Sequence, residues 1–167
     1  MRSADPARPR GSAGEPLHES SLPWTSGRPA ALIICCVDGR WFPHVVQFAR
    51  ERLGAGELTD FMAVPGGAEP LTLLDLIPKD FNFFKRRIES LVEAHGTRRI
   101  IAIAHQDCAW YKTRKLGPFT LDLRARQLAD LRRAARGLRE LLPDVRVETY
   151  FARLDGELAR VVFEAVG

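Results

Sequence analysis

Three short apolar runs constrain this chain more than any other feature. They are ALIICC (31–36), LTDFMAVPGG (58–67) and RRIIAIAH (98–105). The first and third are apolar at consecutive positions and rich in isoleucine. That pattern suits strands buried on both faces, as inside a parallel sheet. The second is closed by Pro65-Gly66-Gly67, a turn signal.

The segments between them change period. WFPHVVQFARERLG places Trp41, Val45, Phe48, Ala49 and Arg52 at helical spacing, with Gly54 as the stop. DFNFFKRRIESLVEAHG places Phe84, Ile88, Leu91, Val92 and His95 on one face and ends at Gly96, with His95 as a capping residue. A long helix is predicted from Leu121 to Leu142, with Leu121, Ala125, Leu128, Ala135, Leu138 and Leu142 as its apolar stripe and Pro143 beyond it. The last segment, VRVETYFARLDGELARVVFE, has Asp155-Gly156 between two alternating runs, which predicts a hairpin. Strands alternating with helices give an α/β fold: a mainly parallel central sheet flanked by helices, with a C-terminal antiparallel edge strand.

One domain is expected over residues 30–167, long enough for a real core. Residues 1–29 are rich in Pro, Gly, Ser and Arg and read as a flexible or partner-wrapping arm. No apolar run approaches the roughly 20 residues needed to cross a bilayer, and the arm has no apolar core of a secretory signal. The net charge of +4 permits anionic partners without demanding them. Arg124, Arg132, Arg133, Arg136 and Arg139 make the long helix basic. No aromatic residues interleave with them, so a solvated face is expected rather than a nucleic-acid surface. The three cysteines include an adjacent pair, Cys35 and Cys36. An odd count with adjacency argues against a disulfide framework and for metal or thiol chemistry in a reducing cytoplasm.

The chemistry collects at strand ends. Cys36 closes the first run and is followed by Asp38 and Arg40; His105 closes the third and is followed by Cys108. Sites in parallel sheets form beyond the carboxyl ends of strands, where neighbouring connections diverge. If the second strand lies on the far side of the first, Cys36, His105 and Cys108 meet. Two thiolates and an imidazole make a zinc set that leaves a fourth position open. Asp38, held ionised by the Arg40 fork, would stand beside the metal, or would close it as a fourth ligand if the pair broke. Cys35 points away by strand alternation and reads as core. Gly66 and Gly67 could approach a ligand with their backbone or form a plain loop. Phe61, Trp110 and Tyr111 could line a small apolar pocket or pack in the core. His44 could shuttle protons or simply sit on the surface.

Cys36-x-Asp38-x-Arg40 followed by His105-x-x-Cys108 resembles the β-class carbonic anhydrases over roughly residues 30 to 165. The resemblance implies that family's fold, with zinc on Cys36, His105 and Cys108 and an Asp38–Arg40 dyad that orients the nucleophile or gates the metal. It implies reversible hydration of carbon dioxide to bicarbonate through zinc-bound hydroxide; Gly66 and Gly67, read from their own turn and not from the resemblance, are the candidate substrate contacts. Related readings are a carbonyl sulfide or carbon disulfide hydrolase, or a zinc-binding protein without turnover. It also implies a homodimer or larger homo-oligomer with N-terminal arms on the partner. The chain departs from the family in having Gly39 for the common Ser, Ala109-Trp110-Tyr111 where Gly usually follows the second Cys, and VPGGAEP after the second strand.

Overall fold

The computed structural model describes residues 18–53, 58–73, 77–113, 122–156 and 160–167. Strand β1 (Ala31–Cys35) leads to helix α1 (Phe42–Leu53), strand β2 (Thr59–Ala63), a 3-10 turn (Glu69–Thr72) and helix α2 (Pro78–His95). Strand β3 (Arg99–His105), helices α3 (Ala109–Thr113) and α4 (Leu123–Leu141), and strands β4 (Arg146–Asp155) and β5 (Arg160–Ala165) complete the order. The sheet runs β2-β1-β3-β4-β5, with four parallel strands and β5 antiparallel to β4. The fold class read from the strand–helix alternation is the one observed.

The strand order follows from handedness. From β1 the chain steps one way to β2, then back across β1 to β3, and onward in that direction to β4. Right-handed crossovers therefore put α1 on one face of the sheet and α2 and α4 on the other. The core divides accordingly. Leu32, Ile34, Ile100 and Ala102 pack against Phe84 and Ile88 of α2 and Leu131, Ala134 and Leu138 of α4. Ile33, Cys35, Ile101 and Ile103 pack against Trp41, just before α1, and against Val45 and Ala49 of α1. All five β1 residues are buried, as the unbroken apolar run requires.

The helices differ from expectation in detail. The buried face of α4 is Gln127, Asp130, Leu131, Ala134, Ala135 and Leu138; of the expected stripe Ala135 and Leu138 are buried and Leu128 and Leu142 pack partly against the core. Ala125 is exposed. Periodicity alone was drawn to the small apolar residue, whereas the helix buries a glutamine and an aspartate that have partners. Arg52 is likewise exposed. Leu121 and Gly54 lie outside the described residues. His95 does not merely end its helix, since its Nδ1 meets Asp60 Oδ2 of β2 at 2.6 Å. Gly96 ends α2 in the left-handed region, with φ 65°.

The basic residues of α4 are largely structural. Arg124 pairs with Glu164, Arg132 donates to the Gly167 carbonyl and Arg139 to the Val147 carbonyl. They tie the helix to the C-terminal strands. Of the arm, residues 1–17 lie outside the described residues. Residues 18–29 form no helix or strand, and Trp24 there is 92% exposed. Among the described residues no helix is long and apolar enough to cross a membrane.

Candidate metal centre

The sheet reverses its direction of travel between β1 and β3, and the crevice at their carboxyl ends is the topological switch point. The parallel register pairs Cys35 with Ile103. Cys36, one residue past β1, therefore stands level with the end of β3, where His105 is the last residue. After His105 the chain turns sharply through Asp107, whose φ of 64° is unusual for a residue with a side chain. That turn sends Cys108 back towards Cys36 and starts α3. The ligand atoms of Cys36, His105 and Cys108 lie within 4.8 Å of one another, and all three residues are buried. The two sulfurs are 3.8 Å apart.

The donor set fits a zinc ion on two counts. Two sulfurs about 2.3 Å from one tetrahedral zinc stand about 3.8 Å apart, which is the separation here. The second count is the imidazole. His105 Nδ1 donates to the Gln106 carbonyl at 2.8 Å, which leaves the Nε2 lone pair free in the neutral ring. Nε2 is buried and has no hydrogen-bond partner. A buried acceptor without a donor is costly, and a cation beside the two sulfurs is the natural partner for it.

The environment favours negative charge at Cys36. The Cys108 thiol, by hydrogen bonding to Cys36, holds the Cys36 thiol down to about 4 against the opposing effect of burial. The Asp38 and Gly66 N–H groups act in the same direction. Cys108 is raised, first because it supplies that hydrogen bond and then by burial, although the Tyr111 and Trp110 N–H groups point to it and favour its ionised form. Cys35, on the other face, is pushed up to about 12 by burial, with the neighbouring Cys36 charge adding to it.

Asp38 and Arg40 are joined by a fork. Arg40 Nε donates to Oδ1 at 3.0 Å and Nη2 to Oδ2 at 2.6 Å, and the Arg40 backbone N–H also reaches Oδ1 at 3.0 Å. These bonds hold the Asp38 carboxyl down at about 2. Its carbonyl accepts from the Trp41 and Phe42 N–H groups and so begins α1. Asp38 shares a cavity of about 350 Å³ with Cys36, Pro65, Ala109, Trp110 and Thr113. A larger cavity, about 670 Å³, lies between α2 and α4 and touches none of these residues.

Several supports were not read from the sequence. Trp41 stacks on the His105 ring at 4.9 Å between centroids. Gln127, 1% exposed, donates to the His105 carbonyl at 2.9 Å. A glutamine inside an apolar helical face was the available signal for it. Gly67 has φ 61°, and a Cβ there would press on the Cys35 and Cys36 backbone at 3.2 Å. Gly67 thus fits tightly under the end of β1, and Gly66 under the Trp110 ring. Of the aromatic candidates, Trp110 lines the cavity and Tyr111 is buried behind it. Phe61 packs on Phe42 on the α1 face, away from the cavity. His44 is exposed.

Comparison with known proteins fits this geometry. An uncharacterized protein of Rickettsia conorii is 25% identical over 145 residues, covering 82% of this chain and 74% of its own. The β-carbonic anhydrase isoform I of Trichomonas vaginalis has the same fold, with a TM-score of 0.54 at 15% identity over 89% of each chain. So do tetrameric β-carbonic anhydrases of Sordaria macrospora, with a TM-score of 0.53 at 14% identity, over 84% of this chain and 82% of theirs. A family model described as "Putative carbonic anhydrase" matches residues 27–162, and this chain belongs to that family.

Proposed function

We propose that this protein is a zinc enzyme that reversibly hydrates carbon dioxide to bicarbonate, with the metal on Cys36, His105 and Cys108. The observation that carries this reading is the meeting of those three ligand atoms within 4.8 Å at the switch point of the sheet. Zinc held there would supply hydroxide at neutral pH by lowering the pKa of water to about 7. The chain's own residues do the rest. Asp38, ionised and fixed by Arg40, would accept a hydrogen bond from the nucleophile and so orient it towards the cavity. Val37, Ala109 and Trp110 give that cavity an apolar wall suited to a small neutral substrate. Gly66 lies beneath the Trp110 ring, so it is Pro65 of that turn that lines the cavity. The fork to Arg40 favours Asp38 as an orienting group over Asp38 as a fourth ligand. We also assign residues 1–29 as an arm that drapes on a partner copy, a reading favoured by the exposed Leu22 and Trp24.

The test is stopped-flow carbon dioxide hydration on protein of measured zinc content. Asp38→Asn is expected to lose about 10²–10⁴ of the rate while keeping its zinc. Cys36→Ser is expected to lose the zinc itself. Zinc-loaded protein that hydrates no carbon dioxide across about pH 7 to 9 sinks the reading. Turnover of carbonyl sulfide or carbon disulfide under those conditions would transfer it to those substrates.

A further inference from the structure

Glu69 is 2% exposed and takes no part in the chemistry above. It sits at the start of the 3-10 turn that follows Gly66-Gly67. Its Oε2 accepts a hydrogen bond from Trp110 Nε1 at 3.3 Å. Trp110 belongs to the other loop, two residues after Cys108. Its indole lies so close over Gly66 that a Cβ at that position would overlap the ring. Gly66 in turn points its N–H at Cys36, and Trp110 points its own at Cys108. One side chain therefore bridges the segment that supports the first thiol and the segment that carries the second.

We propose that Glu69, Trp110 and Gly66 form a clamp that fixes the spacing of Cys36 and Cys108 and so sets how long a metal ion stays in the site. Glu69 and Trp110 are positioning residues. The proposal rests on the zinc reading above. Release of a metal held by two thiolates and an imidazole begins when one thiolate swings away. Here that motion must part the α3 loop from the Gly66 loop, which breaks the Glu69–Trp110 bond and lifts the indole off the glycine. The bond makes no contact with a ligand and acts one step further out, so it is worth about one ordinary hydrogen bond in holding the two thiols together. A glycine in place of Trp110 would leave the two loops unlinked by side chains at this point.

The experiment measures zinc release from the full-length, zinc-loaded chain into excess chelator, followed by a colorimetric zinc indicator. Trp110→Phe keeps the ring and loses the donor, and Glu69→Leu loses the acceptor. Each is expected to release zinc about 2–10 times faster than wild type, the worth of one hydrogen bond. Glu69→Gln keeps an acceptor oxygen and is expected to stay near the wild-type rate. The double variant should be no faster than either single, because both remove one bond. Cobalt-loaded Trp110→Phe should also show a shifted thiolate-to-metal absorption band, which a loss of general stability would not produce. Wild-type release rates in Trp110→Phe and Glu69→Leu overturn the clamp while leaving the zinc reading intact. If Glu69→Leu does not fold, Trp110→Phe and its absorption band decide alone. A wild-type chain that takes up no zinc overturns both. A chain that holds zinc yet hydrates no carbon dioxide overturns only the proposed reaction, and the release rates still decide the clamp.

Discussion

At the scale of single residues, the site is governed by where each charge is held. Asp38 stays ionised in the fold down to about pH 2, below its ordinary value of 3.8, chiefly through the side-chain hydrogen bonds from Arg40. A carboxyl with a depressed folded pKa stabilises the fold fully above its unfolded value. That contribution fades as pH falls from there through about 2. The Tm difference between wild type and Asp38→Asn should therefore be largest near neutrality and shrink towards zero in acid. A difference that grows below pH 4, as measured by calorimetry, would contradict the pairing. The effect is modest because the Arg40 side chain is 63% exposed. The adjacent cysteines show how much one position matters. Cys35 faces the α1 layer and is 1% exposed with a raised pKa, whereas Cys36 faces the site with a lowered one. Composition counts them alike, but strand parity separates them.

At the scale of elements, stability resides in the layers rather than in the site. Leu138, 1% exposed, projects from α4 into the core with Ile100 and Val147. Leu138→Ala should cost about 2–5 kcal/mol and lower Tm by about 2–4 °C per kcal/mol, with zinc content unchanged. Loss of zinc at room temperature in that variant would mean that the layer and the site are coupled. The strands were legible in the sequence because runs such as ALIICC and RRIIAIAH bury both faces and leave no competing period. The meeting of Cys36, His105 and Cys108 was legible because they lie within or just beyond those runs. The buried face of α4 was not legible. Its polar members, Gln127 and Asp130, meet partners outside the helix, the His105 carbonyl for the glutamine and Tyr111 for the aspartate, which also has Arg126 one turn away. The bond between Glu69 and Trp110 joins residues 41 apart. No local pattern records such a pairing. His95 was misread for the same reason, since its partner, Asp60, is on another element.

At the scale of the whole molecule, the site joins segments that folding alone brings together, since Cys36 and Cys108 are 72 residues apart. An unfolded chain offers no such set, so metal binding adds to folding stability. At a free metal concentration about a thousand times Kd the gain is about 4 kcal/mol, or about 8–16 °C in Tm for a chain of this size. Calorimetry with zinc and with a strong chelator should differ by that amount, and identical traces would refute metal binding at this site. The same long reach bears on how faithfully the sheet assembles. β1 is apolar on both faces, so its pattern does little to fix its register, and a slip of one residue exposes nothing polar. Such a slipped strand would still offer a thiol to His105 and Cys108, because Cys35 would stand where Cys36 belongs. The residues after the strand forbid it. Trp41, whose ring stacks on His105, would be drawn out of that contact by the shift. Proofreading of the sheet is therefore assigned to the loop beyond the strand, and errors there would yield a protein that holds metal with the wrong cysteine.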